Sequence, residues 1–200
     1  MEIEIPCYDG FDELDAIGPY EVLANGFKDG DRDGRVRMVT RDGREEVTAS
    51  HGLRVGADGR LGDSDPDLVV VPGGGWADRS PAGTRAEYDD GRIPARLADL
   101  HSAGTTIASV CTGGMLVAKA GLFDGVKAVT HASALDDLAA DGADVQDARV
   151  VDAGDLLSAG GVTAGLDLAF HLLDREFGDG VAERVAERME YEPSGDILVA

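Results

Sequence analysis

Two hundred residues make one domain the expectation, long enough to bury a sizeable core without disulfides or metals. The chain carries 39 acids against 18 bases, a net charge of −21, and only three lysines, Lys28, Lys119 and Lys127. That balance disfavours nucleic acid and anionic membranes as partners, and it suits a protein kept soluble in concentrated salt, as in a salt-accumulating halophile. Two cysteines, Cys7 and Cys111, are too few for a disulfide framework or a zinc site. No basic, apolar leader and no run of about twenty apolar residues is present, so the chain reads as soluble and cytoplasmic.

Met1–Tyr8 reads as a first strand. Leu14, Ile17, Tyr20, Val22 and Leu23 space as a short helix despite Gly18 and Pro19. Arg35–Thr40 alternates as a strand, and Val47–Val55 reads as a hairpin around His51-Gly52. Asp67–Pro72 is a short apolar run suited to a strand covered on both faces; Gly73-Gly74-Gly75 follows it. Arg92–Ser102 is a helix with Ile93, Leu97 and Leu100 on one side, followed by a strand over Thr105–Val110 and a helix after Cys111. Lys127–Thr130 is a short strand and Ser133–Ala140 a short helix. Arg149–Asp152 and Leu156–Ser158 are strands; Thr163–Phe177 and Gly180–Tyr191 are helices. Strands alternating with helices predict an α/β fold, a mostly parallel sheet with helices on both faces. One domain is expected over residues 1–192, with a C-terminal tail over 193–200. In such sheets the site lies at the carboxyl ends of the strands, where Asp9-Gly10, Gly73–Gly75, Cys111 and His131 all fall.

The segment Thr105-Thr-Ile-Ala-Ser-Val-Cys-Thr-Gly-Gly114 carries the chemistry. An apolar, β-branched run ends at Cys111, two glycines follow Thr112, and Met115, Leu116 and Ala118 begin a helix. This is the strand–turn–helix layout of a nucleophile elbow with sulfur at the turn. The positive end of the helix favours thiolate there. The alternative, a buried core cysteine, fits a turn poorly. Gly113 and its neighbour free backbone N–H groups to point at a bound anion. An N–H from the Gly73–Gly75 loop, with one from Thr112, makes an oxyanion hole; alone the glycine triplet is a flexible loop leaving a strand. Asp15 is a candidate proton shuttle if burial raises its pKa, although helix capping is the simpler role for it from this stretch alone. His131, after a strand, either orients or deprotonates a group near Cys111 or is a satisfied strand-end histidine. No histidine pair at i,i+4 has a third ligand, so no metal is expected, and no phosphate-binding glycine fingerprint calls for a nucleotide cofactor. Cys7, at the end of the first strand, reads as an ordinary buried cysteine.

In order along the chain, Phe11-Asp-Glu-Leu-Asp-Ala-Ile-Gly-Pro19, Val71-Pro-Gly-Gly74, Ser109-Val-Cys-Thr-Gly113, Ala120-Gly-Leu122, Thr130-His131, Ser158-Ala-Gly-Gly-Val-Thr-Ala-Gly-Leu-Asp167 and Arg188-Met-Glu-Tyr-Glu-Pro193 resemble the DJ-1/PfpI (ThiJ) superfamily, nearest its isocyanide hydratase-like branch. The resemblance covers nearly the whole chain. It implies a flavodoxin-like three-layer α/β/α sandwich, a homodimer and no cofactor. It also implies that Asp15 is the acidic partner of Cys111, that the N–H groups of Gly74 and Thr112 face the substrate, and that Thr112 lines the pocket. Gly75 and Gly113 join that substrate-binding set, with His131 as a supporting residue. The implied activity is attack of the Cys111 thiolate on a small electrophile such as an isocyanide, giving an N-substituted formamide. Peptidase and many glyoxalase-type branches carry a histidine directly after the nucleophile; here that position is Thr112, so amide hydrolysis lacks an adjacent base. A glyoxalase, amidase or intracellular protease is therefore the second reading. A redox- or ligand-sensing protein is the third, because one scaffold hosts several functions and an exposed low-pKa cysteine oxidises readily.

Overall fold

Leu68–Val71 is buried at all four positions, and the main sheet is built outward from it. The structure is a computed structural model and describes every residue except Asp31, Asp78 and Asp179. In chain order the elements are β1 (Glu2–Pro6), α1 (Glu13–Asp29), β2 (Arg35–Val39), β3 (Glu46–Thr48), β4 (Arg54–Gly56), β5 (Leu68–Val71), α2 (Thr84–Asp90), α3 (Arg92–Ser102), β6 (Thr106–Val110), α4 (Gly113–Lys119), β7 (Lys127–Ala128), α5 (Leu135–Ala140), β8 (Asp144–Val145), β9 (Val150–Asp152), β10 (Leu156–Ala159), α6 (Ala164–Phe177), α7 (Val181–Met189) and β11 (Ile197–Val199). Seven strands form one sheet in the order β11-β9-β10-β6-β5-β1-β2. Only the β9–β10 pair in it is antiparallel. Helices α1, α6 and α7 pack together on one face and α2, α3, α4 and α5 on the other, the expected three-layer sandwich.

Three local expectations change. Residues 193–200 are not a free tail: Ile197–Val199 pairs in parallel with Val150–Asp152 and becomes an edge strand. Asp167, buried on α6, ties this segment down by accepting from Tyr191 Oη at 3.1 Å and from the Ser194 N–H at 2.8 Å. The strand expected over Lys127–Thr130 is only Lys127–Ala128, and it pairs with Asp144–Val145, which carries too little apolar pattern to be read as a strand. Helix α2 (Thr84–Asp90) has no apolar periodicity in its sequence; its buried side chains are polar and find tertiary partners, Thr84 meeting Tyr8 and Thr112 and Glu87 pairing with Arg41. Among the described residues no helix is long and apolar enough to cross a membrane.

Helix α1 runs unbroken through Gly18 and Pro19, although proline lacks the N–H that would bond the carbonyl of Asp15. Its glycines face α6: a Cβ on Gly18 would lie 3.1 Å from Leu166, and one on Gly26 only 2.3 Å from Cδ2 of Leu173. Leu173 is fully buried and has nowhere to swing. Gly26→Ala should therefore lose more by overpacking, about 1–3 kcal/mol, than the roughly 1 kcal/mol it gains in helix propensity. The thermal midpoint is expected to fall by roughly 2–4 °C per kcal/mol lost. A midpoint that holds or rises in a melting experiment would mean that α1 and α6 can separate without cost.

Candidate active site

Three strand ends converge. β1 ends at Pro6 and leads through Tyr8–Asp12 into α1, β5 ends at Val71 before Gly73–Gly75, and β6 ends at Val110 before Cys111. Cys111 holds φ at +56°, a left-handed backbone that costs a non-glycine residue about 1–2 kcal/mol. Its peptide groups are fixed on both sides. The N–H donates to the carbonyls of Ala159 and Gly160 at 3.1 and 2.9 Å, and its carbonyl accepts from Thr130 Oγ1 at 2.6 Å. Thr130 is thus a positioning residue for the elbow, a place where sequence points to its neighbour His131.

The elbow also touches the end of β5. A Cβ on Gly113 would sit 2.2 Å from the Val71 carbonyl oxygen, and one on Gly73 would sit 2.5 Å from the Thr112 nitrogen. Both positions must therefore be glycine for the two loops to meet.

Asp15 comes from the first turn of α1 and is fully buried. It does not cap the helix: Asp12 does, accepting from the Leu14 N–H at 3.1 Å. Instead Oδ2 of Asp15 accepts from the Gly73 N–H at 3.0 Å. Its other oxygen is buried with no conventional donor, and the Cys111 thiol is the group its carboxyl interacts with. Burial, then the charge of Asp12, pushes the Asp15 carboxyl up to about 7, opposed by the Gly73 N–H and by Cys111. Burial and then the Asp15 charge push the Cys111 thiol up to about 12; only the Thr112 N–H, directed at the sulfur, works the other way. The expected resting thiolate is therefore not favoured, because the helix behind the elbow is seven residues long and desolvation outweighs it.

The other candidates separate. Thr112 lies beside the sulfur, but its hydroxyl is committed inward: Oγ1 accepts from the Gly74 N–H at 3.0 Å and meets Thr84 Oγ1 at 3.1 Å. Thr84 in turn meets Tyr8 Oη at 3.0 Å, and Tyr8 Oη donates to the Pro72 carbonyl at 2.6 Å. The Gly74 N–H is thus already used and not open to a substrate. Among the described residues the Gly75 N–H has no acceptor, and Gly75 lines a cavity of about 520 Å³ with Gly10, Ser50 and Ala82. His131 caps the turn after it, its Nδ1 accepting from the Ser133 N–H at 3.1 Å and meeting Ser133 Oγ at 2.8 Å; the ring rests on Gly161. Cys7 and Cys111 are both free, and Cys7 is buried with its sulfur 3.4 Å from that of Met38. Tyr8 and Thr84 carry no signal in sequence beyond a strand end and a helix without apolar periodicity, whereas Thr130 stands in the Thr130-His131 motif without a role assigned to it.

Comparison with known proteins shows the family and the fold. The DJ-1/PfpI family profile matches residues 1–175. Isonitrile hydratase of Pseudomonas putida is 32% identical over 195 residues, covering 97% of this chain and 80% of that protein. A deglycase of Thermococcus kodakarensis is 28% identical over 162 residues, 80% of this chain and 89% of that protein. The crystal structure of a ThiJ/PfpI family protein from Pseudomonas syringae superposes with a TM-score of 0.84 at 29% identity, covering 96% of this chain and 76% of that one.

Two outcomes follow from the buried acid. Because its folded-state pKa is raised from 3.8 to about 7, the native state binds this proton more tightly than the unfolded chain does. Its contribution is therefore full below the unfolded value and is lost as pH rises from about 4 to 7. Asp15→Asn, whose amide oxygen can still accept from Gly73, should flatten that limb of the denaturant-measured stability curve, by about 4 kcal/mol at most. It should also remove the charge opposing ionisation of Cys111, so the pH profile of thiol alkylation moves to lower pH. An unshifted profile would show that the two side chains do not share a field.

Proposed function

The chain belongs to the DJ-1/PfpI family, and from that premise we propose that it is a cysteine-dependent enzyme that hydrates an isocyanide, or a small electrophile of that kind, to an N-substituted formamide. The observation that carries this reading is the fully buried Asp15 carboxyl at the elbow of Cys111, one oxygen held by the Gly73 N–H and the other left without a donor. The likeness to an isonitrile hydratase across 97% of the chain supports it.

With a carboxyl near 7 beside a thiol near 12, the resting pair is a thiol and a carboxyl poised to gain or lose one proton at neutral pH. Asp15 takes the thiol proton as sulfur bonds to the terminal carbon of the isocyanide, and returns that proton to the same carbon. The product is a thioimidate on Cys111. Asp15 then removes a proton from water as its oxygen adds to the carbon, and passes it to the nitrogen. The carbon–sulfur bond breaks, the formamide leaves, and the hydroxyl proton of the collapsing adduct returns to the thiol. In sum one isocyanide and one water give one formamide. The Thr112 N–H stabilises charge on sulfur. Amide hydrolysis is less well served: Thr112 follows the nucleophile, and His131 spends Nδ1 on Ser133. A redox-sensing role is also less well served, because oxidation follows thiolate character and this thiol is held protonated.

The test offers an isocyanide, methylglyoxal and a peptide amide in parallel, in molar salt to suit the acidic surface. Wild type should consume the isocyanide and release formamide. Cys111→Ala should abolish turnover, and Asp15→Asn should lower kcat by about 10²-fold or more. Turnover of methylglyoxal or the amide instead, or isocyanide loss that survives Cys111→Ala, overturns the proposal.

A further inference from the structure

The loop that follows β4 and the start of α3 enclose a cavity of about 460 Å³ lined by Arg41, Arg60, Arg92 and Arg96 together with Asp42 and Asp99. It shares no residue with the site around Cys111. The chain has fifteen arginines in all, against 39 acids, so four guanidinium groups on one cavity run against the charge of the whole molecule.

How these charges are used decides what the cavity is for. Arg92 is neutralised by Asp90, with contacts of 2.6 and 2.8 Å. Asp42 is taken by Arg44, at 3.3 Å. Arg41 pairs with Glu87 and lies 3.7 Å from Asp90, yet its Nε is buried without an acceptor. Arg96 is held by backbone alone: Nε donates to the Leu61 carbonyl at 3.3 Å and Nη2 to the Gly62 carbonyl at 3.1 Å. Among the described residues it has no carboxylate partner, and its Nη1 is unengaged. Gly62 makes that seat possible, because a Cβ there would lie 2.3 Å from Nη2 of Arg96. Arg60 has no partner among the described residues. The backbone brings Arg60 beside Arg41, since Thr40 bridges to Arg60 and the Leu61 N–H donates to the Thr40 carbonyl at 2.9 Å. Among the described residues the only uncompensated acid on the cavity is Asp99, against two uncompensated arginines and one orphaned Nε.

We propose that this cavity is a binding site for a small molecule bearing an oxyanion, a carboxylate or phosphate group, received by Arg60 and Arg96. A guanidinium presents a planar fork that matches either group in two hydrogen bonds. One already oriented by backbone carbonyls loses little freedom when it binds. In a chain this acidic, a cavity wall on which free guanidinium groups outnumber free carboxylates suits an anion that the protein does not itself supply.

The test titrates inorganic phosphate and succinate separately into the full chain by calorimetry, with ionic strength held constant by sodium chloride. Saturable binding of either is expected. Arg60→Gln and Arg96→Gln should each weaken it by about tenfold or more, roughly 1.4 kcal/mol. Arg54→Gln should leave it unchanged, since Arg54 is exposed, paired with Glu46 and outside the cavity. The Arg60 side chain makes no hydrogen bond or ion pair among the described residues, so its variant is expected to fold as wild type does, and circular dichroism checks this for both. Binding of phosphate alone identifies a phosphoryl ligand, and of succinate alone a carboxylate. If neither saturates, or if Arg54→Gln loses as much as the other two, the cavity is not an anion site.

Discussion

The left-handed backbone at Cys111 is the constraint around which the rest is arranged. A β-branched strand must stop, turn through φ +56° and restart as a helix, and the chain resists this by about 1–2 kcal/mol. The turn persists because neighbours from the ends of two other segments over-determine it. The carbonyls of Ala159 and Gly160 hold its N–H, and Thr130 holds its carbonyl. Gly73 and Gly113 let the β5 loop close against it. Once that loop is seated, its Gly73 N–H fixes the Asp15 carboxyl, so the strain at one residue is coupled to placement of the acid from a different element.

Electrostatics at this point are set by desolvation more than by the helix. A helix terminus is worth about 0.3–1 kcal/mol, up to about 2 when partly buried, or about one pKa unit. Full burial can move a group by 3–5 units. Both Asp15 and Cys111 are buried, and both protons are held more tightly than in water. A nucleophile in this setting is generated at the moment of attack, by an acid already in place to take the proton, and does not stand as free thiolate. Low resting reactivity also protects the sulfur from adventitious oxidation.

The few cations of this acidic chain are used in specific places. Arg149 meets the buried Asp167, and Arg175 reaches Asp152, so α6 is tied to both ends of β9. Exposed pairs such as Arg54–Glu46 contribute little to stability in water and less in salt. The unpaired guanidinium groups on the cavity beside α3 stand out against this pattern.

Sequence alone determined the alternation of strands and helices, the buried central strand Leu68–Val71 and the elbow at Cys111, because period, β-branching and glycine placement are local properties of the chain. From its own stretch a capping role is the simpler reading of Asp15, and only the resemblance of the longer motif points it toward Cys111. Tertiary structure decided the rest. It gave the capping role to Asp12, bound the Gly74 N–H to Thr112, moved the supporting contact from His131 to Thr130, and turned the last residues into a strand. These outcomes depend on which groups far apart in the chain meet and on how much water they exclude. A linear pattern carries neither quantity, and burial, which reversed the expected ionisation of Cys111, exists only once the sheet has closed around it.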